Sequence, residues 1–234
     1  IICGNINNQD DIALLDEHKF DFIFHLAAIS DTRVYDQEII MKTNVNSFYD
    51  LLEIALKDDS VMVYASSAAT YGNLHSPQTV GKEFPENPYG YSKYTMDKIA
   101  SRYSTEHPNL TIVGLRFFNV YGPREFYKAK TSSMVIQLGH QILNGKAPRL
   151  FNDSNKILRD FIFIDDVVEI WFKAATYPSA LRQALNVGTG IKTTVKEILE
   201  VVCKRVPKSS YFVRGITEGD QSGIYADVSH SNDS

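Results

Sequence analysis

The sequence predicts an α/β fold: a doubly wound parallel sheet, lacking its first strands, with a smaller mixed α/β lobe over its ligand edge. Three observations carry the prediction. Short apolar runs alternate with longer amphipathic segments through the first half of the chain, the pattern of strand–helix–strand units. The runs are apolar at nearly every position instead of every second one, which implies strands covered on both faces and hence a parallel sheet. Right-handed crossovers then bring the strand C-termini to one edge, where doubly wound sheets bind ligands. Ser67, the loop after Leu26 and the loop after Arg116 all fall on that edge.

Residues 20–26 read as a buried strand. Residues 36–57 follow as a helix whose apolar face holds Ile39, Ile40, Leu51, Leu52, Ile54 and Ala55. The next strand is 61–65, the next helix 89–107, and the third strand 110–116. The second half is less regular. A helix over 132–143 stops at Asn144-Gly145, a C-cap pair. Short strands at 149–152 and 160–164 precede a helix capped by Asp165 and running to Ala175, with Trp171 and the phenylalanines of 160–175 in its core. A strand at 184–187, a helix over 193–206 and a last strand at 211–214 complete the layout.

At 234 residues the chain can form one large domain or two small ones. Its 44% hydrophobic content is ordinary for a globular protein, and no apolar run approaches the roughly 18–20 residues of a membrane span. A net charge of −4 gives no electrostatic reason to expect nucleic acid or an anionic membrane. Cys3 and Cys203 are too few for a disulfide framework and lack metal-ligand spacing, so a reducing cytoplasm is the simplest location. The chain opens at Ile1 as if inside a strand and stops at Ser234 where another helix could begin, which reads as an internal fragment.

The chemistry concentrates between residues 64 and 93. Ser67 closes an apolar run, and Tyr89 and Lys93 stand one helical turn apart soon after. A hydroxyl at a strand end beside a Tyr–Lys pair suits deprotonation of an alcohol during hydride transfer. The ammonium is expected to lower the Tyr89 pKa by favouring phenolate, and the Ser67 hydroxyl to hold the substrate oxygen. A second copy of the spacing, Tyr94 with Lys98, sits beside the first. Five residues on is about 140° around a helix, so one pair alone can face a shared site. Pro88 at the helix start and Ser67 upstream favour Tyr89 and Lys93.

Other residues leave two readings open. The small side chains of Leu26-Ala27-Ala28-Ile29-Ser30 fit either the close approach of a dinucleotide or ordinary strand-to-helix packing. Asn44, buried in a helix, needs partners and is either a bridge to the Ser67 strand or a cofactor neighbour. Arg159 precedes an apolar strand as a solvated edge charge or as a bidentate clamp on a diphosphate. Gly188-Thr189-Gly190 reads as a plain turn, and Lys128 as a cation on a loop opened by Gly122-Pro123.

Taken together, a series of segments in order resembles the extended short-chain dehydrogenase/reductase family of nucleotide-sugar epimerases and dehydratases. The series is His25-Leu26-Ala27-Ala28, Thr43-Asn44-Val45, Ser66 to Gly72, Tyr89 with Lys93, Arg116 to Arg124, Arg159-Asp160-Phe161, Asp165-Asp166-Val167 and Asn186-Val187-Gly188. Each segment alone is weak; their shared order over nearly the whole chain is specific. Residues 64–72, 122–128 and 133–134 narrow the likeness to the branch that inverts C6 of an ADP-heptose, a lipopolysaccharide precursor.

The resemblance implies a Rossmann-like dinucleotide-binding domain over 1–122 and a substrate lobe over 123–234, with 160–190 returning to the first. It implies NADP, or NAD, held by Leu26, Ala27, Ala28, Ile29, Ser30, Asn44, Lys93, Val120 and Lys128. A nucleotide-diphosphate sugar would be held by Ser67, Asn119, Phe151, Asn152, Asp153, Ser154 and Arg159. Catalysis would fall to Ser67, Tyr89, Lys93 and Lys128, the last as a second acid/base group opposite Tyr89. A homo-oligomer, pentameric in the resembling branch, is also implied.

The likeness has departures. The family's glycine-rich cofactor loop and the residue that selects NAD or NADP are absent, and Asn5 stands where Asp is usual. Residues 219–227 resemble the tail of uridine-sugar epimerases, with Thr217 at the position of their phosphate-binding Arg and Arg214 as the nearest substitute. A UDP-sugar 4-epimerase is therefore the rival reading, and a non-catalytic nucleotide-sugar scaffold the rival of another class. A 4,6-dehydratase fits less well, because Ala68-Ala69 stand where such enzymes place Asp-Glu. A glycine-rich turn encoded upstream of Ile1 would remove the scaffold.

Overall fold

The structure is a computed structural model of the chain and describes residues 1–151, 156–177, 183–205, 212–214 and 223–224. A short helix α1 (Gln9–Ala13), capped by Asn8, precedes β1 (Phe22–His25). Asp36 caps α2 (Gln37–Ile40), which passes through a π-helical turn (Met41–Asn46) into α3 (Ser47–Asp58). Then come β2 (Val61–Ser67), α4 (Pro88–Glu106), β3 (Thr111–Phe117) and β4 (Asn119–Tyr121). The second half holds α5 (Met134–Leu143), β5 (Arg149–Phe151), β6 (Leu158–Arg159), β7 (Phe161–Phe163), α6 (Ile164–Thr176) and β8 (Ala184–Val187). It ends with β9 (Thr193–Thr194), α7 (Val195–Arg205), β10 (Phe212–Arg214) and β11 (Gly223–Ile224).

Strands β1, β2, β3 and β8 form one parallel sheet in that order. Both faces of β2 and β3 are covered, whereas β1, expected to be buried, is the edge strand and leaves Phe22 45% and Phe24 40% exposed. Met62, Tyr64 and Ile112 pack with Phe48, Leu52, Met96 and Ala100 of α3 and α4. Their chain neighbours Val63, Val113 and Leu115 pack on the other side with Val167 and Trp171 of α6. Successive strand residues point to opposite faces, so a doubly covered strand must be apolar at every position. Ser67 pairs in register with Phe117, which places the ends of β2 and β3 side by side. β4 pairs with β7, β5 with β10, and β6 with β9 and β11, in smaller sheets. α5 and α7 share a third apolar cluster through Leu138, Ile142, Val195 and Leu199. No helix among the described residues is long and apolar enough to cross a membrane.

Several boundaries depart from the expected ones. The helix expected over 36–57 is interrupted by the π-helical turn that carries Asn44. Asp165 does not cap α6: the helix starts at Ile164 after Phe163 with no side-chain cap. Asp165 and Asp166 sit in its first turn instead, where free N–H groups favour negative charge. Trp171 is buried but Phe172 is 62% exposed, so the core role expected of it fails. The helix expected from 193 gives two residues to β9 before α7 begins. The C-cap at Asn144-Gly145 forms as expected: Gly145 has φ +68°, and the Gly145 and Lys146 N–H groups donate to Ile142 and Gln141 carbonyls.

Candidate active site

β2 ends in a tight turn over Ala68–Tyr71, held because Ser67 Oγ accepts from the Ala69 N–H at 3.1 Å. The first turn of α4 packs directly on it. A Cβ at Gly90 would stand 2.5 Å from the Ala69 carbonyl oxygen, so glycine is what allows this approach. Asn87 caps the helix by accepting from the Gly90 N–H at 2.8 Å, and Pro88 occupies the first turn, where its missing N–H costs nothing. These contacts bring Tyr89 near Ser67, whose hydroxyl favours the phenolate form. The second Tyr–Lys pair is turned elsewhere: exposed Lys98 lies 4.9 Å from the centroid of the Tyr94 ring.

Lys93, one turn along, is buried, and its Nζ donates to the Ala65 carbonyl of β2 at 2.8 Å. Burial lowers its pKa to about 8, against an opposing pull from the Asp97 carboxylate. The electrostatics of Tyr89 differ from expectation. Its pKa is raised, because burial around the hydroxyl outweighs the pull of the Ser67 hydroxyl toward phenolate. The ammonium of Lys93 is spent on the Ala65 carbonyl and does not lower the phenol here.

Asn44 is fully buried, and its bridge runs to different partners from those expected. Its Oδ1 accepts from the Ile29 N–H at 2.8 Å, while Nδ2 donates to the Ile29 carbonyl at 3.0 Å and to Ser92 Oγ at 2.9 Å. Ser92 in turn donates to the Tyr89 carbonyl at 2.7 Å. Asn44 thus ties the loop after β1 to the helix that carries Tyr89, not to the Ser67 strand.

Two cavities open along the sheet edge. One, of about 490 Å³, is lined by Gly4, Asn5, His25, Leu26 and Ala27. His25 is buried, its Nε2 has no partner among the described residues, and burial lowers its pKa to about 4, with the Lys93 charge adding to the effect. The other, of about 720 Å³, is lined by Ser30, Phe118, Asn119, Val120, Glu125 and Lys128 among others. It gathers residues from three distant stretches that the family resemblance assigns to one site. Ala28 is half-buried. Asn119 donates to the Asp160 carbonyl through Nδ2 at 2.8 Å. Arg159 is half-buried, donates to the Leu158 carbonyl at 2.9 Å and does not line the cavity. Phe151 ends β5, whereas Asn152, Asp153, Ser154 and Thr217 lie outside the described residues.

The model of the NAD dependent epimerase/dehydratase family matches residues 1–188. The chain belongs to that family. Among solved structures it is similar to the ADP-L-glycero-D-manno-heptose-6-epimerase of Helicobacter pylori, at 38% identity over 97% of this chain and 69% of the other, with a TM-score of 0.86. The UDP-glucose 4-epimerase of Thermotoga maritima, solved with UDP-glucose, is 24% identical over 98% and 75% of the two chains, with a TM-score of 0.89. That of Thermus thermophilus, solved with NAD, is 24% identical over 97% and 75%, with a TM-score of 0.83. At that identity the last two show the fold alone.

Sequence reasoning about this epimerase/dehydratase family member overlooked three buried acids. Asp160 is fully buried and accepts from the Thr189 N–H and hydroxyl at 2.8 and 2.7 Å and from the Gly190 N–H at 2.8 Å. The turn at 188–190 is therefore pinned, not plain, and the strand expected from 160 starts only at Phe161. Asp97 accepts from Tyr64 at 2.8 Å and pairs with Arg116 at 2.8 Å, and Arg116 also meets Glu83 and Tyr71. The signal for Asp97 was its place one turn after Lys93. Glu125, the third, lay inside the segment 122–128 without a role.

Proposed function

We propose that this enzyme is a nucleotide-sugar epimerase that inverts C6 of ADP-glycero-manno-heptose, for synthesis of the lipopolysaccharide inner core. The observation that carries the reading is Lys128 on the wall of the same cavity as Ser30, Asn119 and Val120. The likeness at 38% identity to the Helicobacter heptose epimerase supports it. When bound, NADP (or NAD) would take a hydride from the sugar carbon and return it. The residues present fit such a dinucleotide: Gly4 and Ala27, small enough for a close approach to the backbone, line the cleft beside His25 and Leu26. Leu26, Ala27, Ala28, Ile29, Ser30, Val120, Lys93 and Lys128 would hold it, with Asn44 fixing the Ile29 backbone.

In this reading Tyr89 works as the acid/base group, taking the proton of the sugar hydroxyl as phenolate and returning it as phenol, and Ser67 donates a hydrogen bond to the oxygen. For Lys93 to support Tyr89 its ammonium must turn to the phenol from the Ala65 carbonyl it meets here, and Lys128 gives or takes the proton on the opposite face. Asn119 orients the sugar, and Phe151 to Ser154 with Arg159 contact the nucleotide. We assign residues 1–122 to cofactor binding and 123–234 mainly to substrate binding, with 160–190 returning to the first part. The enzyme is taken as cytoplasmic and homo-oligomeric.

The deciding experiment is Lys128→Met in the complete enzyme, assayed on ADP-heptose and on UDP-sugars. A general acid/base group contributes about 10²–10⁴-fold, so inversion of ADP-heptose should fall on that scale. A 4-epimerase, with one Tyr serving both faces of a rotating sugar, needs no second group. A loss below about tenfold on ADP-heptose would reject the two-base reading, and turnover of a UDP-sugar in its place would establish the 4-epimerase.

A further inference from the structure

The segment that carries Lys128 leaves β4, makes a 3₁₀ turn over Phe126–Thr131 and enters α5. Within it Glu125 is only 7% exposed. Its Oε1 accepts from the Gly122 N–H at 3.0 Å and from the Ser133 hydroxyl at 2.9 Å, and its Oε2 accepts from the Ser133 N–H at 2.6 Å. All three partners are donors, a set that an ionised carboxylate matches with both oxygens. A carboxylate is costly to bury without such partners, so its position is tightly defined.

These bonds close residues 122–133 into a loop whose two ends meet on one side chain. Ser133 also caps α5, with its Oγ accepting from the Ile136 N–H at 3.4 Å, so the grip extends to the first turn of that helix. Lys128 is tied in through the backbone. Its N–H donates to the Glu125 carbonyl at 3.0 Å, and its carbonyl accepts from the Thr131 hydroxyl at 2.8 Å. Its own side chain is exposed and depends on the loop for its placement.

We infer that Glu125 is a positioning residue: its carboxylate staples the ends of the 122–133 loop and so holds Lys128 at the wall of the cavity it shares with Asn119 and Val120. The inference rests on the acid/base role proposed above for Lys128. In the complete enzyme with cofactor bound, Glu125→Ala should lower kcat by about 10²-fold, the scale on which a misplaced reacting group loses rate. KM should change far less. Glu125→Gln keeps one acceptor oxygen for Gly122 and Ser133 and should recover part of the loss. Glu125→Ala/Lys128→Met should be no slower than Lys128→Met alone, because a staple has nothing left to position. Losses that multiply in the double variant would overturn the inference.

Limited trypsin digestion gives a readout independent of the chemistry. Cleavage after Lys128 and Lys130 should accelerate in Glu125→Ala while the rest of the chain keeps its resistance; an unchanged rate there would overturn the staple. If Lys128→Met alone loses less than about tenfold, the acid/base role fails, and the digestion by itself decides whether Glu125 holds the loop. Should Glu125→Ala not fold, Glu125→Gln carries the same comparisons.

Discussion

Replacing Tyr89 by phenylalanine removes one oxygen and leaves the ring and the helix in place. The oxygen lost is the one that faces Ser67 at the end of β2. Even a full neutral hydrogen bond would be worth only about 0.5–1.5 kcal/mol of stability. At roughly 2–4 °C of Tm per kcal/mol for a chain of this size, the fold should survive with a small drop in melting temperature. The catalytic cost is far larger. An acid/base group contributes about 10²–10⁴-fold, or about 2.7–5.4 kcal/mol of activation free energy. The control is Tyr94→Phe, whose ring keeps its contact with Lys98. A change that touches nothing structural stays within about 0.5 kcal/mol of stability, and turnover should be close to unchanged. The assay is epimer interconversion by the complete enzyme, with melting temperature and cofactor content measured alongside. Equal losses in the two variants would refute the assignment of Tyr89 and Lys93 as the working pair.

Two further predictions concern the scaffold. Arg116→Met leaves Asp97 and Glu83 buried without their shared counter-ion, which should cost about 3–5 kcal/mol; a loss below about 1 kcal/mol in denaturant unfolding would show the network to be dispensable. His25 has its pKa lowered to about 4 from an ordinary 6.5, so as pH falls through that window the unfolded chain takes up a proton that the native one refuses. Stability should therefore be lost with falling pH by about 1.4 kcal/mol per unit, roughly 3 kcal/mol in all. His25→Phe should flatten this dependence, and an identical slope in the variant would count against it.

The family, the parallel sheet and the approach of Tyr89 to Ser67 were legible in the sequence by itself. Each rests on short-range rules: apolar runs mark doubly covered strands, and a four-residue spacing on a capped helix puts Tyr89 and Lys93 on one face. Asn87, Pro88 and Gly90 announced where that helix begins. The placement of charge was a different matter. Tyr89 was expected to be acidified by Lys93, yet its pKa is governed by how much water reaches the hydroxyl, and Lys93 is claimed by the Ala65 carbonyl. Burial is a sum over distant segments and leaves no local mark. Asn44 reads as a buried polar residue in any window, but only packing chose Ile29 and Ser92 as its partners. Asp160 and Glu125 look like ordinary surface acids in the sequence; folding brought the 189–190 turn to one and both ends of a loop to the other. Spacing along the chain determined which residues share a helix face or a strand end. Which carboxylate meets which donor was decided by tertiary structure alone, because a buried polar group takes whatever partners the assembled elements present.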